Sequence, residues 1–140
     1  MRTLEKVLRY KDLRIHWKIF FTSLKISIIS CIKGYHSAII SIPSVNKGIV
    51  KKYSRDEINR YVNMFFVIRR RLGICDTCLS HSILLCHMLR LAGLEAKINF
   101  GAKKLEEKTN PEGFNLIGHA WVTVDDEELC VPYERIMQYP

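Results

Sequence analysis

The spacing of apolar residues changes at Gly93, and that change limits the folds open to this chain more than any other feature. Before Gly93, apolar side chains recur at steps of three to four residues; after it, they alternate with polar ones. The first spacing presents one stripe of an α-helix to a core, and the second presents one face of a β-strand. Helices first and strands afterwards define an α+β class, with a helical N-terminal half and a small antiparallel sheet behind it. At 140 residues the chain suits one compact domain with a modest core.

Helical spacing covers residues 3–41 through Leu4, Leu8, Ile15, Ile19 and Leu24. Residues 42–48, with Pro43 and Gly48, read as a connection. Ser54 and Glu57 fit a capping box for the next helix, whose apolar face is Ile58, Val62, Phe65, Phe66 and Ile68 and which Gly73 closes. Arg69, Arg70 and Arg71 fall in its last turn, where cations interact favourably with the helix dipole and with solvent. Asp76 or Thr77 caps a further helix that runs to Leu91 or Ala92. Ile83, Leu84, Met88 and Leu91 give that helix a buried side, and Cys86 is read as packing.

Beyond Gly93 the alternation predicts a half-buried strand over 94–100, a polar loop over 103–115 and a second strand over 117–124. A charged turn at 125–128 leads to a third strand over 129–133, where Pro132 demands an edge or an irregularity. On the second strand, period two sends His119 and Trp121 to one face and Ala120, Val122 and Val124 to the other. The domain plan that follows is a helical region over 1–50, suited to docking a partner, and a core over 51–140.

Charge is divided unevenly. Of 22 Lys and Arg and 14 Asp and Glu, residues 1–75 hold 16 and 4, so +12, while residues 76–140 hold 6 and 10, so −4. The first half therefore suits an acidic surface. Its basic residues are scattered among helical segments without glycine-rich or aromatic nucleic-acid motifs, so no nucleic acid is expected. The stretch 19–42 is apolar but interrupted by Lys25 and Lys33, and it reads as an amphipathic core helix in place of a transmembrane segment. An odd five cysteines, with a charged first 14 residues lacking a secretory pattern, point to a reduced, cytoplasmic protein.

Chemistry enters with Cys78 in the first turn of a helix and His119 on a strand 41 residues later. A thiol becomes an effective nucleophile when unpaired helix N–H groups and an imidazole stabilise its thiolate. An oxyanion hole would use the backbone amide of Cys78 and a second donor that the sequence does not name. Cys75 and Cys78 also form a Cys-x-x-Cys unit, but Cys86, His81, His87 and Cys130 follow at irregular spacing and no second unit completes a zinc site. No metal and no cofactor is expected.

Cys78-Leu79 at a helix start, the helix end Leu89-Arg90-Leu91-Ala92-Gly93-Leu94, the strand end Phe100-Gly101 and Gly118-His119-Ala120-Trp121-Val122 occur in one order. Together they resemble the transglutaminase-like cysteine peptidases of lasso-peptide biosynthesis, over roughly residues 55–135. The resemblance implies a papain/transglutaminase-like core and a leader peptidase acting on a ribosomally made precursor peptide. It implies Cys78 as nucleophile and His119 as general base and acid. It also implies a leader-binding recognition protein supplied in trans, with the lasso macrolactam cyclase as a further candidate partner. The family pattern has an Asp about a dozen residues after the histidine, where this chain has none; Glu134 is the first choice for that role, then Asp126, then Asp125. Two other classes use the same features differently: an acyltransferase sharing the thioester, and a non-enzymatic basic module for nucleic acid or a membrane surface.

Overall fold

A computed structural model describes residues 10–45, 53–74, 77–105, 115–125 and 134–139. Three helices and a three-stranded antiparallel sheet make an α+β fold with the helices first in the chain. The long helix α1, Tyr10–Ile40, is broken at Gly34, whose φ of 79° lies in the left-handed region that a side chain disfavours. Ile15, Ile19 and Ile26 on α1 are buried, and α1 packs against both following helices.

Helix α2, Arg55–Arg71, begins with the expected capping box: Glu57 N–H donates to Ser54 Oγ, and Ser54 N–H donates to the Glu57 carboxylate at 2.8 Å. Ile58, Val62 and Phe66 bury its core stripe, while Ile68, read as part of that stripe, is half exposed. Arg69 departs from the solvent role expected of its cluster. Its guanidinium donates to Ser23 Oγ at 2.9 Å, 46 residues away, and lies over the Phe65 and Phe66 rings.

Helix α3, Cys78–Leu91, is capped by Thr77, with Ser80 standing where a capping box usually has Glu. Its far end is sealed. Arg90, buried, donates from Nε to the Ala96 carbonyl at 2.8 Å and from Nη1 to the Pro43 carbonyl at 3.3 Å, tying the helix to the next strand and to the connection after α1.

The sheet order is β2-β1-β3, from β1 Ala96–Leu105, β2 Asn115–Val124 and β3 Glu134–Tyr139. β1 and β2 form a regular ladder in which Ala96 faces Val124 and Gly101 faces His119. β1 therefore runs on to Leu105, into the stretch read as loop from 103. The third strand also departs from expectation: the described one begins at Glu134, after Pro132, and the expected 129–133 lies outside the described residues. A register shift between Phe100 and Gly101, where β1 meets β3, explains why no clean alternation marks β3 in the sequence.

Both faces of this sheet are buried where β1 meets β2. Ala96, Ile98 and Val124 join the helical core, yet on the alternate face Asn99 and Thr123 are 0% and 2% exposed. Asn99 Nδ2 donates to Thr123 Oγ1 at 3.0 Å, a pairing that makes burial of both tolerable.

Candidate active site

Cys78 is the first residue of α3, exposed and free of any disulfide. Thr77 and Ser80 fix the turn around it: Ser80 N–H donates to Thr77 Oγ1 at 3.1 Å, and Thr77 N–H donates to Ser80 Oγ at the same distance. The remaining amides of that turn are the donors that a helix start leaves without intrahelical partners. The signal for the cap was present in the sequence as Thr-x-x-Ser. Asp76, the other candidate cap, and Cys75 lie outside the described residues.

His119 is placed by β2, whose partner strand β1 leaves from the far end of α3. The helix ends beside Ala96, where Cys86 Sγ and Arg90 Nε both donate to the Ala96 carbonyl, and β1 departs from there. From Ala96 to Gly101, the partner of His119, the strand rises about 17 Å at ~3.3 Å per residue. From Arg90 or Cys86 back to Cys78, the helix rises about 12–18 Å at ~1.5 Å per residue. α3 packs on both strands; Val124 joins the helical core, whereas His119, on the alternate face of β2 with Trp121 and Thr123, points to the other side of the sheet. Gly101 gives the position opposite His119 no side chain, a feature the sequence reading did not use.

The His119 ring is partly buried and stacks on the Trp121 indole, at 6.2 Å between centroids and 16° between planes. Trp121 is buried, so it offers a fixed plane against which the imidazole is oriented.

Of the three candidates for a third member, two lie among the described residues, in different places. Glu134 opens β3 opposite Ala102, one row from the His119–Gly101–Arg135 row, and β1 stands between its strand and β2. Two strand spacings put the backbones of those rows about 10 Å apart. Asp125 follows β2, exposed, with φ 53° and its N–H donating to the Glu95 carbonyl. Six residues of strand separate it from His119, about 20 Å. Asp126 lies outside the described residues.

The other titratable groups of α3 are engaged elsewhere. His81, one turn along from Cys78, has Nε2 at 2.8 Å from Asn63 Oδ1 and its ring against Phe66 at 4.7 Å. Cys86 is buried, and burial pushes its thiol up to about 11 against the opposing pull of the Arg90 guanidinium. His87 is buried too, and burial, aided by Lys25 and Lys18, holds its pKa down at about 4. Among the described residues no three His, Cys, Asp or Glu side chains gather as a metal site requires; Cys75 and Cys130 are outside them.

A helix whose first turn bears a free thiol, packed on an antiparallel sheet that bears a histidine, is the frame of cysteine peptidase and acyltransferase folds. The chain belongs to the transglutaminase-like superfamily, whose sequence profile matches residues 22–133, from the middle of α1 to the approach to β3. That superfamily consists in general of cysteine-dependent enzymes. No curated protein and no solved structure matches the chain.

Proposed function

We propose that this chain is a cysteine peptidase that removes the leader from a ribosomally made lasso-peptide precursor, with a separate leader-binding protein presenting the substrate. What supports the proposal is an exposed thiol in the first turn of α3, packed on a sheet whose strand β2 bears a histidine, in a chain of the transglutaminase-like superfamily. The order of motifs around Cys78, Gly101 and His119 supports the narrower substrate assignment.

In the proposed reaction, His119 takes the Sγ proton of Cys78 and the thiolate adds to the carbonyl carbon of the scissile peptide. The backbone N–H of Cys78, at the helix start, stabilises the oxyanion that forms. His119 returns the proton to the leaving amine, the C–N bond breaks, and an acyl thioester remains on Cys78. Water, deprotonated by His119, then adds to the thioester and releases the carboxylic acid and the thiol. Trp121 keeps the imidazole in plane for both transfers. For the orienter of the imidazole the order stays Glu134, then Asp126, then Asp125.

Mass spectrometry of a precursor peptide incubated with its leader-binding protein and this chain tests the reading. Cleavage at one site, absent with Cys78→Ala, supports it. An intact precursor, with leader binding by the partner confirmed, contradicts it; an acyl product formed with an added amine would instead assign the thioester to transfer.

A further inference from the structure

Helix α1 is apolar on both sides, and among the described residues α2 and α3 cover only one of them. At 100° per residue, Ile15, Ile19 and Ile26 fall within about 40° of one another and are buried. Trp17, Phe20, Phe21, Leu24, Ile28 and Ile32 fall within an arc of about 120° centred on the opposite side. All six are exposed, by between 47% and 74%. Trp17, Phe20 and Phe21 pack only edge-on or stacked against one another, at 5.6 to 6.1 Å. Rings of this kind bury roughly 150–250 Å² each, so three half-exposed ones alone present about 300 Å² of apolar surface, and Leu24, Ile28 and Ile32 extend the patch further along the helix.

The charge around the stripe identifies that occupant. From Leu13 to Ile40 the chain has four basic residues, Arg14, Lys18, Lys25 and Lys33, and no acidic one. Arg14, Lys18 and Lys25 are exposed and project within about 60–100° of the stripe's centre, in a row along one edge. Aromatic and aliphatic side chains bordered by lysine and arginine are what a helix lying in the headgroup layer of an acidic bilayer presents.

Length and apolarity would also let Leu13–Ile40 cross a bilayer. Its packing argues against that orientation. A crossing would pull Ile15, Ile19 and Ile26 out of the core and carry Arg69, bonded to Ser23, into the hydrocarbon.

We propose that the exposed stripe of α1 docks this protein, in plane, on an anionic lipid bilayer. The contact is made by Trp17, Phe20, Phe21 and their neighbours and guided by the basic row, leaving α2, α3 and the sheet in water. It does not involve Cys78 and is independent of the peptidase reading.

The test is co-sedimentation of the full chain with vesicles of phosphatidylglycerol and phosphatidylcholine, or of phosphatidylcholine alone, at low salt. Binding to the anionic vesicles should be at least tenfold tighter, should weaken at high salt, and should shift Trp17 emission to the blue. Trp121, the other tryptophan, is already buried and should contribute a constant signal. Trp17→Ser with Phe21→Ser should lose binding by tenfold or more; Arg14→Gln with Lys25→Gln should lose part of it; Cys78→Ala should bind as the parent does. Circular dichroism and continued protection of Cys86 from alkylation show that each variant is folded. Absence of binding, equal binding to both vesicle types, or unchanged binding by the folded Trp17→Ser/Phe21→Ser variant overturns the proposal. A dimer at micromolar concentration that the same variant dissolves overturns it too, by assigning the stripe to a second copy.

Discussion

The two ends of α3 carry the same residue type in opposite circumstances. At the N-terminal end Cys78 is exposed, in a turn held by Thr77 and Ser80. Toward the C-terminal end Cys86 is sealed, its thiol bonded to the Ala96 carbonyl and pushed up to about 11 by burial. Eight residues of one helix thus separate a thiol available to solvent and substrate from one kept protonated. The difference teaches how the fold divides labour: the sealed end fixes the helix against β1, and the open end leaves Cys78 accessible.

The sharpest way to break the comparison is to exchange its members' fates. Cys78→Ala is expected to lower precursor cleavage by 10³-fold or more with the thermal midpoint unchanged, whereas Cys86→Ala should leave cleavage within a few-fold and lower stability by about 1 kcal/mol. Peptide mass spectrometry and thermal melting read both arms. Next in size, Arg90→Ala removes the charged donor to Ala96 and Pro43 from the sealed end and should cost about 2–3 kcal/mol in urea unfolding, with cleavage falling as α3 loosens against β1.

His87 gives the sealed end a pH signature. Folded, it holds a proton only below about pH 4; unfolded, it does so below about 6.5. Between those values the unfolded chain binds more protons, so stability is full above about pH 6.5 and declines as pH falls toward 4. Because some solvent reaches the ring, the loss expected across that window is about 2 kcal/mol. Urea unfolding at pH 4.5 and 7 should show it, and His87→Gln should flatten it. Smallest is the open end's own cap: Thr77→Ala should cost about 1 kcal/mol, measured the same way, because it removes one acceptor from an exposed turn.

Much of this frame was legible in the residues. Ser54 with Glu57 marked the start of α2, Thr77 marked α3, and alternation marked β2 to within two residues of its start, because each is a local signal that tertiary packing reinforces. Features set by distant partners were not legible. Asn99 looked like the solvent side of a half-buried strand, yet burial of the second sheet face makes Thr123 its partner. Arg69 looked solvated with its neighbours, yet Ser23, far away in sequence, takes it inward. On α1, helical spacing was visible, but whether Trp17 or Ile19 faced the core depended on which side the other helices covered. For the site, Cys78 and His119 were named from motifs; Cys78 opens α3, and His119 lies on β2 with its side chain on the face turned from the helical core. Glu134 rests on a strand whose register shift no sequence pattern announces.

The most direct test of the central claim, that His119 acts on Cys78, is the rate of iodoacetamide alkylation at Cys78, read by mass spectrometry at pH 7. It is compared for the parent chain, His119→Ala and His81→Ala. Coupling predicts a fall on the order of tenfold with His119→Ala and little change with His81→Ala, whose ring is held by Asn63. An unchanged rate with His119→Ala, or a fall confined to His81→Ala, would contradict it.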